Sequence, residues 1–133
     1  MDAKTRELVR RRAGNVCEYC RIPQDATPSI SFHVEHTIAK QHGGDDDPHL
    51  LALACDRCNA YKGPNLTSID QDNGQIVPLF HPRSDDWGSH FLLREGQVVG
   101  LTPTGHATVQ LLNMNATRRV QLRKEWLEEG ESL

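Results

Sequence analysis

Apolar positions along the chain fall in short clusters between polar, Gly- and Asp-rich stretches, a pattern that predicts small helices and short strands. Asp2 to Ala13 predicts a helix, with Leu8 and Val9 as a narrow apolar stripe and Gly14-Asn15 as its stop. Cys17-Glu18-Tyr19-Cys20 follows at once, so a tight knuckle leads off that helix. Arg21 to Ser29 is loop, punctuated by Pro23 and Pro28. Ile30 to His36 alternates well enough for a short strand. Gln41 to Pro48, rich in Gly and Asp, predicts an exposed acidic turn; Asp45, Asp46 and Asp47 lack the spacing and terminal Glu of a calcium loop. Leu50 to Ala54 predicts a second strand, antiparallel to the first, and Cys55 to Lys62 a helix ended by Gly63-Pro64.

The second half has a weaker pattern. Gln75 to Phe80 predicts a short strand. Phe91-Leu92-Leu93-Arg94 and Gln97-Val98-Val99-Gly100-Leu101 flank Glu95-Gly96, the mark of a β-hairpin. Ala107 to Met114 and Thr117 to Leu127 predict two helices with Val109, Leu112, Val120, Trp126 and Leu127 as apolar positions. No linker separates the halves. The expectation is an α+β fold and one domain over residues 1–133, with a core in 1–66 and a packed extension in 67–133 that holds the hairpin and the two helices.

Composition changes this picture little, and charge somewhat more. The 133 residues suffice for a modest core, and with only seven aromatics that core is mostly aliphatic. The formal net charge of −3 is not that of a strongly basic nucleic-acid binder. Yet Lys4, Arg6, Arg10, Arg11 and Arg12 cluster near the start, and Arg118, Arg119, Arg123 and Lys124 near the end. These are either basic faces hidden by the average or solvated helix faces. The charged start carries no secretory signal, and no apolar run approaches the ~18 residues of a membrane helix. The expected setting is the cytoplasm, where paired cysteines tend to bind metal.

Cys17 and Cys20 form one C-x-x-C, Cys55 and Cys58 another, and no cysteine is left over. Two such knuckles supply four thiolates in the tetrahedral arrangement that Zn²⁺ prefers, so a structural zinc is expected. A redox dithiol is usually a single pair in a βαβ setting, and two disulfides do not suit a reducing compartment. The gap between the pairs exceeds that of a simple zinc ribbon, so the insert has a purpose of its own. It carries His33, Glu35, His36, His42 and His49, with Asn59 and Lys62 just beyond. Phosphodiester hydrolysis needs a base to deprotonate water and a hard cation for the departing oxygen. Histidine suits the first role, and Glu and Asn oxygens suit Mg²⁺ or Mn²⁺.

His33-Val34-Glu35-His36, Gly43-Gly44, Leu51-Ala52-Leu53-Ala54-Cys55 and Cys55-Asp56-Arg57-Cys58-Asn59-Ala60-Tyr61-Lys62-Gly63 resemble the signature of the HNH endonuclease family, in its four-cysteine, zinc-bearing branch. Pro64-Asn65-Leu66 and Val77-Pro78-Leu79-Phe80 resemble a small bacterial, single-domain subgroup. The resemblance implies a ββα-metal core, with His36 as general base, Glu35 and Asn59 as ligands of the catalytic cation, and Cys17, Cys20, Cys55 and Cys58 on the structural zinc. Leu50 departs from it: the family places an Asn there that orients the base. Either His49, one residue earlier, takes that role from a shifted register, or the orientation is lost.

The resulting expectation is a metal-dependent DNA endonuclease, with Arg10, Arg11, Arg12 and Lys62 on phosphates, acting as a monomer or weak dimer away from membranes. The alternative is a catalytically inactive, zinc-stapled nucleic-acid-binding module. A carboxylate beside a phosphate site repels its ligand unless a cation lies between, which favours the enzyme. His33 and His42 are expected as packing or phosphate contacts.

Overall fold

In the computed structural model, which describes residues 1–133, helix α1 spans Ala3–Arg12 and opens on Asp2, whose carboxylate accepts the Thr5 amide. Its apolar stripe is narrower than expected. Val9 is buried, but Leu8 is 45% exposed. Arg10 and Arg12 fasten the helix instead, donating to the carbonyls of Phe32, Pro48 and Leu51.

Strands β1 (His33–His36) and β2 (Leu51–Ala54) pair antiparallel, with His33 opposite Ala54 and His36 opposite Leu51. Helix α2 (Asp56–Lys62) follows directly. This is the expected strand, loop, strand, helix unit. β1 is shorter than the apolar alternation implies, because the Gln24 side chain takes up the backbone before it: Nε2 donates to Ile30 O and Oε1 accepts from Phe32 N. All four β2 residues are buried. The other edge of β2 is closed by Glu18, whose backbone N–H donates to Leu53 O while its carboxylate accepts the Leu53 amide. The first cysteine knuckle is thereby clipped to the strand that leads into the second.

The loop between β1 and β2 doubles back on itself. Gly43 adopts φ +93°, and a Cβ on Gly44 would lie 1.7 Å from the Ile38 carbonyl oxygen, so only glycine permits this return. Single 3₁₀ turns at Lys40–His42 and Pro48–Leu50 complete the loop.

The extension holds β3 (Thr67–Ile69), β4 (Ile76–Pro78), α3 (Trp87–His90), β5 (Phe91–Arg94), β6 (Gln97–Gly100), α4 (Pro103–Leu111) and α5 (Thr117–Glu128). Its strands form two further antiparallel pairs, β3 with β4 and β5 with β6. The second pair is the expected hairpin. Glu95 and Gly96 both take positive φ, as its two-residue turn requires, and a Cβ on Gly96 would lie 2.6 Å from the Val120 carbonyl oxygen. Helix α4 starts four residues before its expected beginning, because Thr102 caps it through its hydroxyl and Pro103 occupies the first turn.

Both halves feed one core. A single cluster joins Val9, the four cysteines and β2 to Phe80, Phe91, Val98, Leu112 and Met114. No helix is long and apolar enough to cross a membrane.

Candidate metal centre and catalytic face

The four cysteine sulfurs converge in the core, all within 4.8 Å of one another. Each knuckle is closed by its own backbone, with Cys20 N donating to Cys17 Sγ at 3.5 Å and Cys58 N to Cys55 Sγ at 3.4 Å. The second bond also makes Cys55 the N-cap of α2, so Asn59 is not needed as a cap. The Cys20 and Cys55 sulfurs stand 3.7 Å apart. A disulfide needs ~2 Å, whereas a tetrahedron of ~2.3 Å Zn–S bonds sets its sulfurs about 3.8 Å apart. Burial pushes the Cys17 and Cys58 thiols well up, while hydrogen bonds from the neighbouring cysteines outweigh burial and draw Cys20 and Cys55 down; four thiolates so close together repel one another unless a cation lies among them. The donor set, its spacing and its burial all fit zinc.

The extension supplies positive charge to this cluster. Arg119, on α5, donates from Nη2 to Cys58 Sγ at 2.8 Å and to Cys55 Sγ at 3.5 Å, and from Nη1 to the carbonyls of Leu112 and Asn113. Burial works against its charge, but the nearby cysteines outweigh burial and hold its pKa up. One turn later, Arg123 is 0% exposed and donates to the carbonyls of Gly96, Met114 and Cys20. The C-terminal basic cluster is therefore divided: Arg118 and Lys124 are exposed, while Arg119 and Arg123 lie inside the fold.

Glu35 projects inward from β1 and is 7% exposed. Tyr19, between the first two cysteines, donates its hydroxyl to Glu35 Oε1. Burial raises the Glu35 carboxyl above its usual range, against the pull of Lys62, Tyr19 and His36. Oε2 accepts no hydrogen bond and is not sealed from solvent, which suits a carboxylate with one oxygen to offer a cation. Lys62 does not sit on the surface as expected of a phosphate contact. It is 3% exposed and donates Nζ to Thr37 O at 3.1 Å, because the buried carboxylate attracts a buried cation. Asn59 lies three residues before Lys62 on α2, at the spacing of one helix face, and is half-buried.

His36 lies on the opposite face of β1 and is half-buried. Its Nε2 meets Asp46 Oδ1 at 2.7 Å. The expected orienting role of His49 is not met. The Asp47 carboxylate accepts the His49 amide and starts the 3₁₀ turn that leaves the His49 side chain exposed. His33 and His42 are exposed. Of the N-terminal arginines, Arg11 is exposed beside Glu7, while Arg10 and Arg12 each bind the core and retain further donors. Tyr19, Asp46, Arg119 and Arg123 were not singled out by the motif. Only Tyr19 carried a signal, through its place inside a C-x-x-C.

The Tyr19 contact gives a first test. Tyr19→Phe leaves a buried carboxylate without its donor and is expected to cost about 1–3 kcal/mol. Urea unfolding of both proteins measures this, and a change within ~0.5 kcal/mol would mean that Glu35 does not depend on the hydroxyl.

Residues 17–65 match the HNH endonuclease family. No curated protein and no solved structure matches the chain significantly. The matched segment begins at the first cysteine, contains both knuckles and the β1–β2–α2 unit, and ends just beyond α2. Residues 17–65 are thus similar to the HNH endonuclease family, and four clustered cysteines staple the ends of that segment.

Proposed function

We propose that the chain is a metal-dependent endonuclease that hydrolyses DNA phosphodiester bonds. The observation that carries this reading is a carboxylate and an imidazole on consecutive residues of β1, inside the segment that matches the HNH family. Glu35 and Asn59 would hold Mg²⁺ or Mn²⁺, which supplies charge stabilisation to the departing oxygen and the phosphate when bound. His36 acts as general base and takes the proton of the attacking water. The buried Tyr19 hydroxyl holds Glu35 in place, and the charge of buried Lys62 offsets that of the carboxylate. Arg11, with the spare donors of Arg10 and Arg12, holds phosphates without reading sequence. Zinc on the four cysteines is structural, and a reducing cytoplasm keeps those cysteines available.

The second reading, a zinc-stapled nucleic-acid-binding module without catalysis, draws on Leu50, whose side chain cannot orient a base. One experiment separates the two. Supercoiled plasmid is incubated with the zinc-loaded protein in Mg²⁺, in Mn²⁺ and in EDTA, with His36→Ala in parallel. The expected result is nicking that needs the added ion and falls at least a hundredfold in the variant. Plasmid that is bound and left intact by the wild type would favour the binding module.

A further inference from the structure

His36 needs more than its place in the strand to act as a base. Its ring must present one nitrogen with a free lone pair in a fixed direction, and Leu50 has no polar atom with which to arrange this. In the structure the ring has a different partner, Asp46, at 2.7 Å from Nε2. An ionised carboxylate only accepts hydrogen bonds, so in the neutral ring that a base requires the hydrogen lies on Nε2 and the lone pair on Nδ1.

The loop holds Asp46 firmly for this contact. The return through Gly43 and Gly44 brings the loop back over Ile38. On the far side, the Asp45 carboxylate accepts the Asp47 amide, and Asp47 in turn caps the Pro48–Leu50 turn. Asp46 also lies 3.3 Å from the Met1 amino group and 3.9 Å from Lys40 Nζ, both of which favour its ionised form. Its carboxyl is held below the usual range, first by the hydrogen bond with His36.

We infer that Asp46 is a positioning residue: it orients the His36 ring and fixes the Nε2–H tautomer, so that Nδ1 is the nitrogen that receives the proton from water. The inference rests on the nuclease reading above. It gives the acidic stretch Asp45-Asp46-Asp47 a role that neither a metal loop nor a solvated turn explains.

The test uses the full-length, zinc-loaded chain with Asp46→Ala and Asp46→Asn, each checked for unchanged zinc content. Long-range ¹⁵N–¹H spectra of the imidazoles, with His36 assigned through His36→Ala, are expected to show the Nε2–H tautomer in the wild type and a tautomer mixture in D46A. In plasmid nicking, kcat is expected to fall about 10–100-fold in D46A with KM within about twofold, and D46N, which keeps an oxygen acceptor, is expected to fall between. A wild-type kcat in D46A, or the Nδ1–H tautomer in the wild type, would overturn the inference while the nuclease stands. A wild type that binds plasmid and leaves it intact in Mg²⁺ and in Mn²⁺ would overturn the nuclease reading and, with it, the positioning role.

Discussion

Removal of zinc from the four cysteines at neutral pH is expected to unfold the chain as a whole, and not only the segment between the knuckles. The cluster is no appendage: all four sulfurs lie inside the one core that also holds Phe80, Phe91, Val98, Leu112 and Met114. Without the cation, four buried sulfurs must either repel one another as thiolates or take up protons in a space that Arg119 already fills with positive charge. Zinc in small Cys-rich sites contributes about 10–16 kcal/mol, as large as the whole ~5–15 kcal/mol net stability of an ordinary domain. Titration with a strong chelator, followed by far-ultraviolet circular dichroism and by Trp87 fluorescence, measures this. Trp87 is a useful reporter because its indole N–H donates to Tyr19 O inside the first knuckle while its ring packs on Phe91 in the extension. Both signals are expected to collapse in one transition and to return on adding one equivalent of zinc. Cys55→Ala should behave like the chelated protein. A chelated chain that kept its Trp87 signal would mean that the extension folds without the cluster, contrary to the shared core.

What could be read from the residues was local. The cysteine spacing, the β1–β2–α2 order and the Glu95-Gly96 hairpin depend on neighbours within a few positions, and each is present. The misses are contacts between distant segments. Lys62 looks like a surface base at a helix C-terminus until Glu35 and Thr37, over twenty residues earlier, fold against it. Asp46 looks like part of an acidic turn until the Gly43-Gly44 return carries it to His36. Strand β3 was not expected, because Thr67-Ser68-Ile69 has little apolar alternation and is largely exposed; it forms against β4 through the tight turn closed by Gly74 N on Asp70 O. In α5, residues 119, 122, 123 and 126 recur at the 3–4 spacing of a helix face that turns inward. Two of the four are arginines, so the apolar pattern marks Trp126 on that face together with Val120 and Leu127 and misses Arg119, Leu122 and Arg123.

Arg119→Ala is the sharpest test of that inward basic face, and it is expected to cost about 3–5 kcal/mol and to weaken zinc retention. Three losses coincide in this variant. The Cys58 and Cys55 sulfurs lose a charged donor, the carbonyls of Leu112 and Asn113 lose theirs, and a cluster with four thiolates keeps an excess of buried negative charge. Arg119→Lys separates charge from geometry. Lysine restores a cation but not the planar fork that reaches sulfur and carbonyl together, so it should recover part of the stability and of the zinc retention. Arg118→Ala is the control. That side chain is exposed and bonds only to Gln121 along the same helix, so its loss is expected to stay within ~0.5 kcal/mol. Urea unfolding and zinc release to a colorimetric chelator, run on all three variants, give the two readouts. Stability and zinc retention that fall together in R119A and recover together in R119K would establish that α5 belongs to the metal centre. Zinc release at the wild-type rate in R119A would restrict Arg119 to tying α4 to α5 through the Leu112 and Asn113 carbonyls, and would leave the cluster dependent on its own knuckles.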